Sequence, residues 1–136
     1  MADHGSMPTT TLTFDRSTAL HLATDLTASV ISVDEAFWEH RADHPDLADG
    51  RVLLVVDCEE TWGRWERHPD GDELVYAVSG EVTFHLEDAD GSRRMDLRGG
   101  EGGLVPKGAW HRAEIHQPAR LLFVTPTPAR TEHRPR

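Results

Sequence analysis

Two stretches of this 136-residue chain concentrate side chains that bind metals or move protons. One reads Glu66-Arg-His68-Pro-Asp-Gly-Asp-Glu73, with Gly80 after six further residues. The other reads Gly100-Glu-Gly-Gly-Leu-Val-Pro106-Lys-Gly108-Ala-Trp-His111. Imidazoles and carboxylates ligate divalent metals and also serve as general acids and bases. Their spacing suits one metal site built on two β-hairpins. Two imidazoles with two carboxylates form a hard donor set. Such a set favours a divalent transition metal, Mn, Fe(II), Ni or Zn, with open coordination positions, and disfavours Cu(I).

Strand geometry decides which of these side chains can meet. Residues two apart on a strand share a face, so Glu66 and His68 point together, with Trp62 and Arg64. A two-residue turn at Ser79-Gly80 pairs Val78 with Glu81. Glu73, Val75 and Ala77 then share a face with Val82, Phe84 and Leu86. That face is apolar apart from Glu73, and a lone carboxylate there needs a cation or a hydrogen-bond partner. Pro106-Lys-Gly108 makes a turn that aims His111 inward, with Ala113 and Ile115 on the same side. By the same parity His85 points outward, with Tyr76.

These residues resemble the two motifs of a small single-domain cupin. The first cupin motif is Gly, five residues, His-x-His, three or four residues, Glu, six residues, Gly. His68, Glu73 and Gly80 fall on its second His, its Glu and its closing Gly. Glu66 stands at the first His, and Glu60 stands at the opening Gly. The second motif is Gly, five residues, Pro-x-Gly, two residues, His, three residues, Asn. Gly100, Pro106, Gly108 and His111 match it, and Ile115 replaces the Asn. The resemblance covers roughly residues 50 to 126. It implies an all-β fold, the double-stranded β-helix or jelly-roll barrel. It also implies that His68, Glu73 and His111 ligate a metal inside the barrel, with Glu66 carried over as a position only.

The rest of the chain fits one domain. Residues 1 to 8 contain Gly5-Ser6-Met7 and read as a tag remnant. Residues 9 to 49 carry short threonine- and leucine-bearing runs suited to edge strands. They also carry Ser32-Val-Asp-Glu35, a capping box that starts a short helix ending before Pro45. From Gly50 the texture is β, with short strands punctuated by Gly and Pro up to Pro126. Residues 127 to 136 read as a flexible tail. The net charge of −10 excludes nucleic acid and anionic membranes as partners. No run reaches the ~18 apolar residues of a membrane span, and no apolar signal region leads the chain. With one cysteine, Cys58, no internal disulfide forms, and the expected location is cytoplasmic.

The functional reading that follows is a metal-dependent enzyme acting on a small molecule. The metal polarises substrate oxygens, while an unligated Glu66 or Arg64 moves protons or fixes an anion. Oxygenase, isomerase and lyase or dehydratase chemistry all stay open. So do a non-catalytic ligand- or metal-binding module and a metal-free acid–base enzyme. Each residue also has a plainer reading. His68 and His111 could be satisfied core histidines, and Glu73 or Glu66 could pair with Arg64. Asp70 and Asp72 read as solvated turn residues, Cys58 as a buried inert thiol, and His40, His44, His116 and His133 as surface residues. Trp65, Tyr76 and Trp110 all have outward parity, which leads to the expectation of a homodimer.

Overall fold

Residues 11–40, 47–128 and 130–136 are described by a computed structural model, with residues 38–40 as backbone only. The tag remnant expected at 1–8, and any reach of the helix beyond His40, lie outside the described residues. Among the described residues, nine strands and one helix are formed: β1 (Thr18–Leu22), β2 (Ala28–Ser32), α1 (Glu35–His40), β3 (Arg51–Cys58), β4 (Arg64–Arg67), β5 (Glu73–Asp88), β6 (Gly91–Arg98), β7 (Gly102–Val105), β8 (Trp110–Pro126) and β9 (Glu132–Pro135). No helix among the described residues is long and apolar enough to cross a membrane.

The two longest strands organise the barrel. β5 and β8 pair antiparallel from Leu74↔Val124 to Glu87↔Trp110. The first half of β5 also pairs with β7, and its second half pairs with β6. The C-terminal half of β8 pairs with β3, which continues to β1 and β2. Its N-terminal end pairs with β4, which continues to β9. One ladder therefore serves two sheets, and the chain passes between them where the ladder is irregular, from Ala77 to Val82. This is the jelly-roll arrangement that the Gly- and Pro-punctuated strands predict.

The expected two-residue turn at Ser79-Gly80 does not form. β5 runs through it as one 16-residue strand with a bulge. The extra residue switches the parity as the turn would have done. Val75, Ala77, Val82, Phe84 and Leu86 are therefore still buried together. Phe84 and Phe123 meet edge to face across the sheets, at 6.4 Å between centroids. His85 points away from this core and contacts Glu114 at 2.8 Å. A second apolar cluster joins Ala19, Ile31, Val33, Phe37, Leu47, Val52 and Leu54, so the N-terminal segment packs onto β3.

Two local expectations are corrected. Ser32 is not the helix cap, because it is still paired with Thr18 in β2. The cap is Asp34, whose Oδ1 accepts the Phe37 N–H at 2.8 Å. Residues 127 to 136 are not a free tail, because β9 pairs with β4 from Arg64↔Pro135 to Arg67↔Glu132. Charge and aromatic contacts hold it there. Arg67 Nε donates to Glu132 at 2.6 Å, and Arg134 donates to Glu87 at 2.5 Å. The Arg134 guanidinium also lies 4.9 Å from the Trp65 ring centroid and 4.8 Å from that of Trp110. The two tryptophans expected at a dimer interface are thus half-covered by arginines of their own chain.

Gly80 has φ +89°, and a Cβ there would lie 2.4 Å from the Pro118 carbonyl oxygen and 2.5 Å from Ala119 Cα. Gly100 has φ +95° with open space around it. Gly80→Ala is therefore expected to cost about 3 kcal/mol, backbone strain plus collision, and Gly100→Ala about 1 kcal/mol from strain alone. Urea denaturation of the two variants checks the order. Equal costs would show that the bend tolerates a side chain.

Candidate metal centre

The site forms where the first and second sequence stretches are tied together by their backbones. Gly108 N–H donates to the His68 carbonyl at 3.0 Å. Lys107 N–H donates to Asp72 Oδ1 at 2.8 Å. Asp72 is an exposed turn residue, as read, and it also pins the two loops together. Asp70 is also engaged, accepting from Arg130 Nε at 2.9 Å. On the other side, β4 places Glu66 directly opposite His111 of β8.

Side chains from all three places converge. Ligand atoms of Glu66, His68 and His111 lie within 4.8 Å of one another. Glu73 adjoins both imidazoles. Its Oε2 is 3.1 Å from His68 Nε2, and its Oε1 is 3.3 Å from His111 Nε2. Thr125 Oγ1 donates to Glu73 Oε2 at 2.6 Å. Arg64 is not the partner of either glutamate. It is exposed and forms no ion pair with the described residues, whereas Glu66 faces His133 Nε2 at 3.6 Å. The alternative in which Arg64 neutralises Glu73 or Glu66 is therefore set aside.

The arrangement fits a divalent cation. Each cluster histidine turns Nδ1 towards a backbone carbonyl, His68 to Arg130 at 3.4 Å and His111 to Ala109 at 3.3 Å. That leaves both Nε2 atoms facing Glu73, the orientation seen in metal-ligating histidines. Glu73 Oε1 and His111 Nε2 are buried without a hydrogen-bond partner among the described residues. Buried orphans of this kind need a reason, and a shared cation satisfies a carboxylate oxygen and an imidazole nitrogen at once.

A cavity of about 460 Å³ opens beside the cluster. Glu66, His68 and Glu73 line its polar part, with Arg64 and His133 also on the wall. Phe37, Val52 and Leu54 contribute apolar wall from the N-terminal segment and β3. Trp62 faces the cavity and packs 5.9 Å from Phe84 and 6.0 Å from His111, between centroids. Cys58 also lines it, half-buried, and burial pushes its thiol up, so it stays protonated.

His133 and Thr131 are the site residues that the sequence reading passed over. Thr131 Oγ1 sits 3.3 Å from His68 Nδ1, and His133 faces Glu66. Their two-residue spacing is a strand signal, but no motif includes them.

The family model of the cupin domain matches residues 52–125, more than half of the chain. The chain belongs to the cupin family. The uncharacterized protein YdbB of Bacillus subtilis strain 168 is 31% identical over 71 residues, which are 52% of this cupin and 58% of that protein. Hydroquinone 1,2-dioxygenase from Sphingomonas sp. TTNP3, solved with 4-hydroxybenzoate bound, is 29% identical, with a TM-score of 0.48. That match covers 54% of this chain and 57% of the dioxygenase chain. The oxalate decarboxylase of Lactobacillus farciminis, in a formate complex, is 16% identical with a TM-score of 0.51. It covers 66% of this cupin and 27% of the decarboxylase, and the likeness is one of fold. The cupin thus spans little more than half the length of the first relatives it matches.

Charge inside the barrel is finely set. Burial pushes the Glu73 carboxyl up, but contact with His111 and His68 and their charge outweigh it and hold it down at about 2. Burial pushes His68 down, but the Glu73 carboxylate and the charge of Glu66 outweigh that and raise it. A depressed carboxyl stabilises the fold above its ordinary value of 4.5, and the contribution is lost as pH falls towards 2. A raised imidazole stabilises below its ordinary value of 6.5, and the contribution is lost as pH rises through the folded value. The metal-free cupin is therefore expected to melt highest at about pH 5–6. Glu73→Gln should flatten both limbs of the Tm-against-pH curve in the presence of chelator. A curve unchanged by that substitution would show that Glu73 is not the buried charge that matters.

Proposed function

We propose that this cupin is a metal-dependent enzyme acting on a small, oxygen-bearing anionic molecule. The observation that carries the reading is the pair of orphaned atoms, Glu73 Oε1 and His111 Nε2, facing each other beside a cavity of substrate size. Glu66, His68, Glu73 and His111 are the residues that would hold the metal, and their oxygen and nitrogen donors suit Mn, Fe, Ni or Zn. When bound, such an ion supplies Lewis-acid polarisation of substrate oxygens.

The chain's own residues supply the rest. Arg64 is on the cavity wall without an acidic partner among the described residues, so its guanidinium is available to a substrate carboxylate or other oxyanion. Glu66 is half-exposed at the same wall, and where it does not ligate the ion its carboxylate oxygen can accept or return a proton. Trp62, Phe37 and Val52 give the cavity apolar walls that limit water around the reacting atoms. Oxygenase, isomerase and lyase chemistries are all compatible with these roles, and the choice among them belongs to substrate screening. The single thiol supports a reducing, cytoplasmic setting as part of the same proposal.

A homodimer also belongs to the proposal. Trp65 and Trp110 are occupied by arginines, so the support comes from the outer face of β5 and β7. There Leu74, Tyr76, Val78 and Leu104 are exposed. A monomer by light scattering at micromolar concentration would count against pairing.

Metal content of untagged protein, measured by mass spectrometry with one ion per chain expected, tests the central reading. His111→Ala should lower metal affinity more than about 100-fold, beyond the 10–100-fold typical of outer-shell losses. Glu66→His, which restores an imidazole at that position, should keep metal. Turnover in that variant should fall about 10²–10⁴-fold if Glu66 handles the proton. A parent protein that turns over substrate in the presence of chelator, with no metal bound, would instead favour metal-free acid–base catalysis. Stoichiometric metal without turnover on a broad metabolite panel would favour a binding module.

A further inference from the structure

The last strand lies against the candidate centre in a way that the cupin motifs do not account for. β9 pairs with β4 in register Glu66↔His133, and directly paired residues project to the same face. Glu66 is therefore flanked on its two sides by imidazoles, His111 from β8 and His133 from β9. His133 Nε2 is 3.6 Å from Glu66 Oε2, an ion-pair distance that a small shift of either side chain closes to a hydrogen bond. Two residues earlier on the same arm, Thr131 Oγ1 lies 3.3 Å from His68 Nδ1, and the Arg130 carbonyl lies 3.4 Å from the same nitrogen. Two members of the three-residue cluster are thus contacted from behind by one short arm.

That arm is clamped at points away from the cavity. Arg130 is bound by Asp70, Glu132 by Arg67, and Arg134 by Glu87 and the faces of Trp65 and Trp110. Arg67 itself lies over Trp110 at 4.5 Å, and Arg112 over Trp65 at 5.3 Å. Such clamping holds a strand of only four residues in register, which an isolated edge strand of that length would not keep. The strand's inward positions are therefore delivered at a fixed place.

We propose, resting on the metal reading above, that β9 is the outer shell of the metal site and that His133 is the positioning residue of Glu66. Ligating carboxylates and histidines bind well only when their second atoms are held, and losing such a partner costs 10–100-fold in metal affinity. His133 presents an N–H to Glu66 Oε2, so that Oε1 is the oxygen turned to the cluster. The Arg130 carbonyl accepts from His68 Nδ1–H, which leaves the lone pair on Nε2. The carboxylate at position 66, where a cupin usually carries an imidazole, has two equivalent oxygens, and a partner on one of them decides which oxygen turns to the cluster.

The test uses the full chain and Co(II) as the probe, read by calorimetric titration and by the visible d–d absorption of the bound ion. His133→Ala is expected to weaken Co(II) binding 10–100-fold and to change the d–d band shape, with the melting temperature of the metal-free protein preserved. His133→Gln, whose amide also donates an N–H, is expected to recover most of the affinity and the parent spectrum. Unchanged affinity and spectrum in His133→Ala, with the parent binding Co(II), would overturn this inference and leave the metal reading standing. Loss of affinity together with loss of thermal stability, unrescued by Gln, would assign β9 a structural role only and also overturn it. A parent protein that binds no Co(II) would overturn the metal reading, and this inference with it.

Discussion

The bend in the β5–β8 ladder is the constraint on which the site depends. Glu73 begins β5, and His111 lies opposite Leu86 near the other end of that strand. Along a straight ladder those positions would be roughly 40 Å apart, at ~3.3 Å per residue. In the barrel His111 Nε2 and Glu73 Oε1 are 3.3 Å apart. The bulge between Ala77 and Val82 turns the ladder from one sheet into the other, and Gly80 permits the close approach of the two backbones at that point. The same bend brings Phe84 against Phe123 and closes the core. The core and the site therefore share one geometric cause.

A second constraint is electrostatic. Glu73 is 3% exposed, His68 is 8% exposed and His111 is fully buried, all on an otherwise apolar face. Taking a carboxylate out of water is costly unless charge or hydrogen bonds meet it. Thr125 meets one oxygen, and the other faces His111 Nε2 at 3.3 Å without hydrogen-bond geometry. The backbone carbonyls on both Nδ1 atoms orient the rings in advance. Donors held in this way need little reordering to meet a ligand.

The segments outside the two cupin motifs have definite work. The N-terminal segment packs its apolar residues onto β3 and gives the cavity Phe37 as wall. The C-terminal arm stacks Arg134 on two tryptophans and brings His133 to Glu66.

Much of the barrel was legible in the sequence because strand parity is a local rule. Alternation along Glu73–Ala77 and Val82–Leu86 identified the buried face, and the two motifs located His68, Glu73 and His111. The local reading misjudged the link between those segments, since a bulge and a two-residue turn produce the same alternation. It also assigned the cap to Ser32 rather than Asp34, because β2 pairing claims Ser32 first. The C-terminal strand was not legible at all. Its apolar content is low, and what holds it is a set of arginine contacts to residues distant in the chain, such as Glu87, 47 positions from Arg134, and Asp70, 60 positions from Arg130. By itself the sequence determined the fold class and pointed to Glu66, His68, Glu73 and His111, because periodicity and motif spacing act over short stretches of chain. Only the tertiary structure decided that Arg64 stands apart from the glutamates and that His133 joins Glu66, because those relations depend on which strands become neighbours.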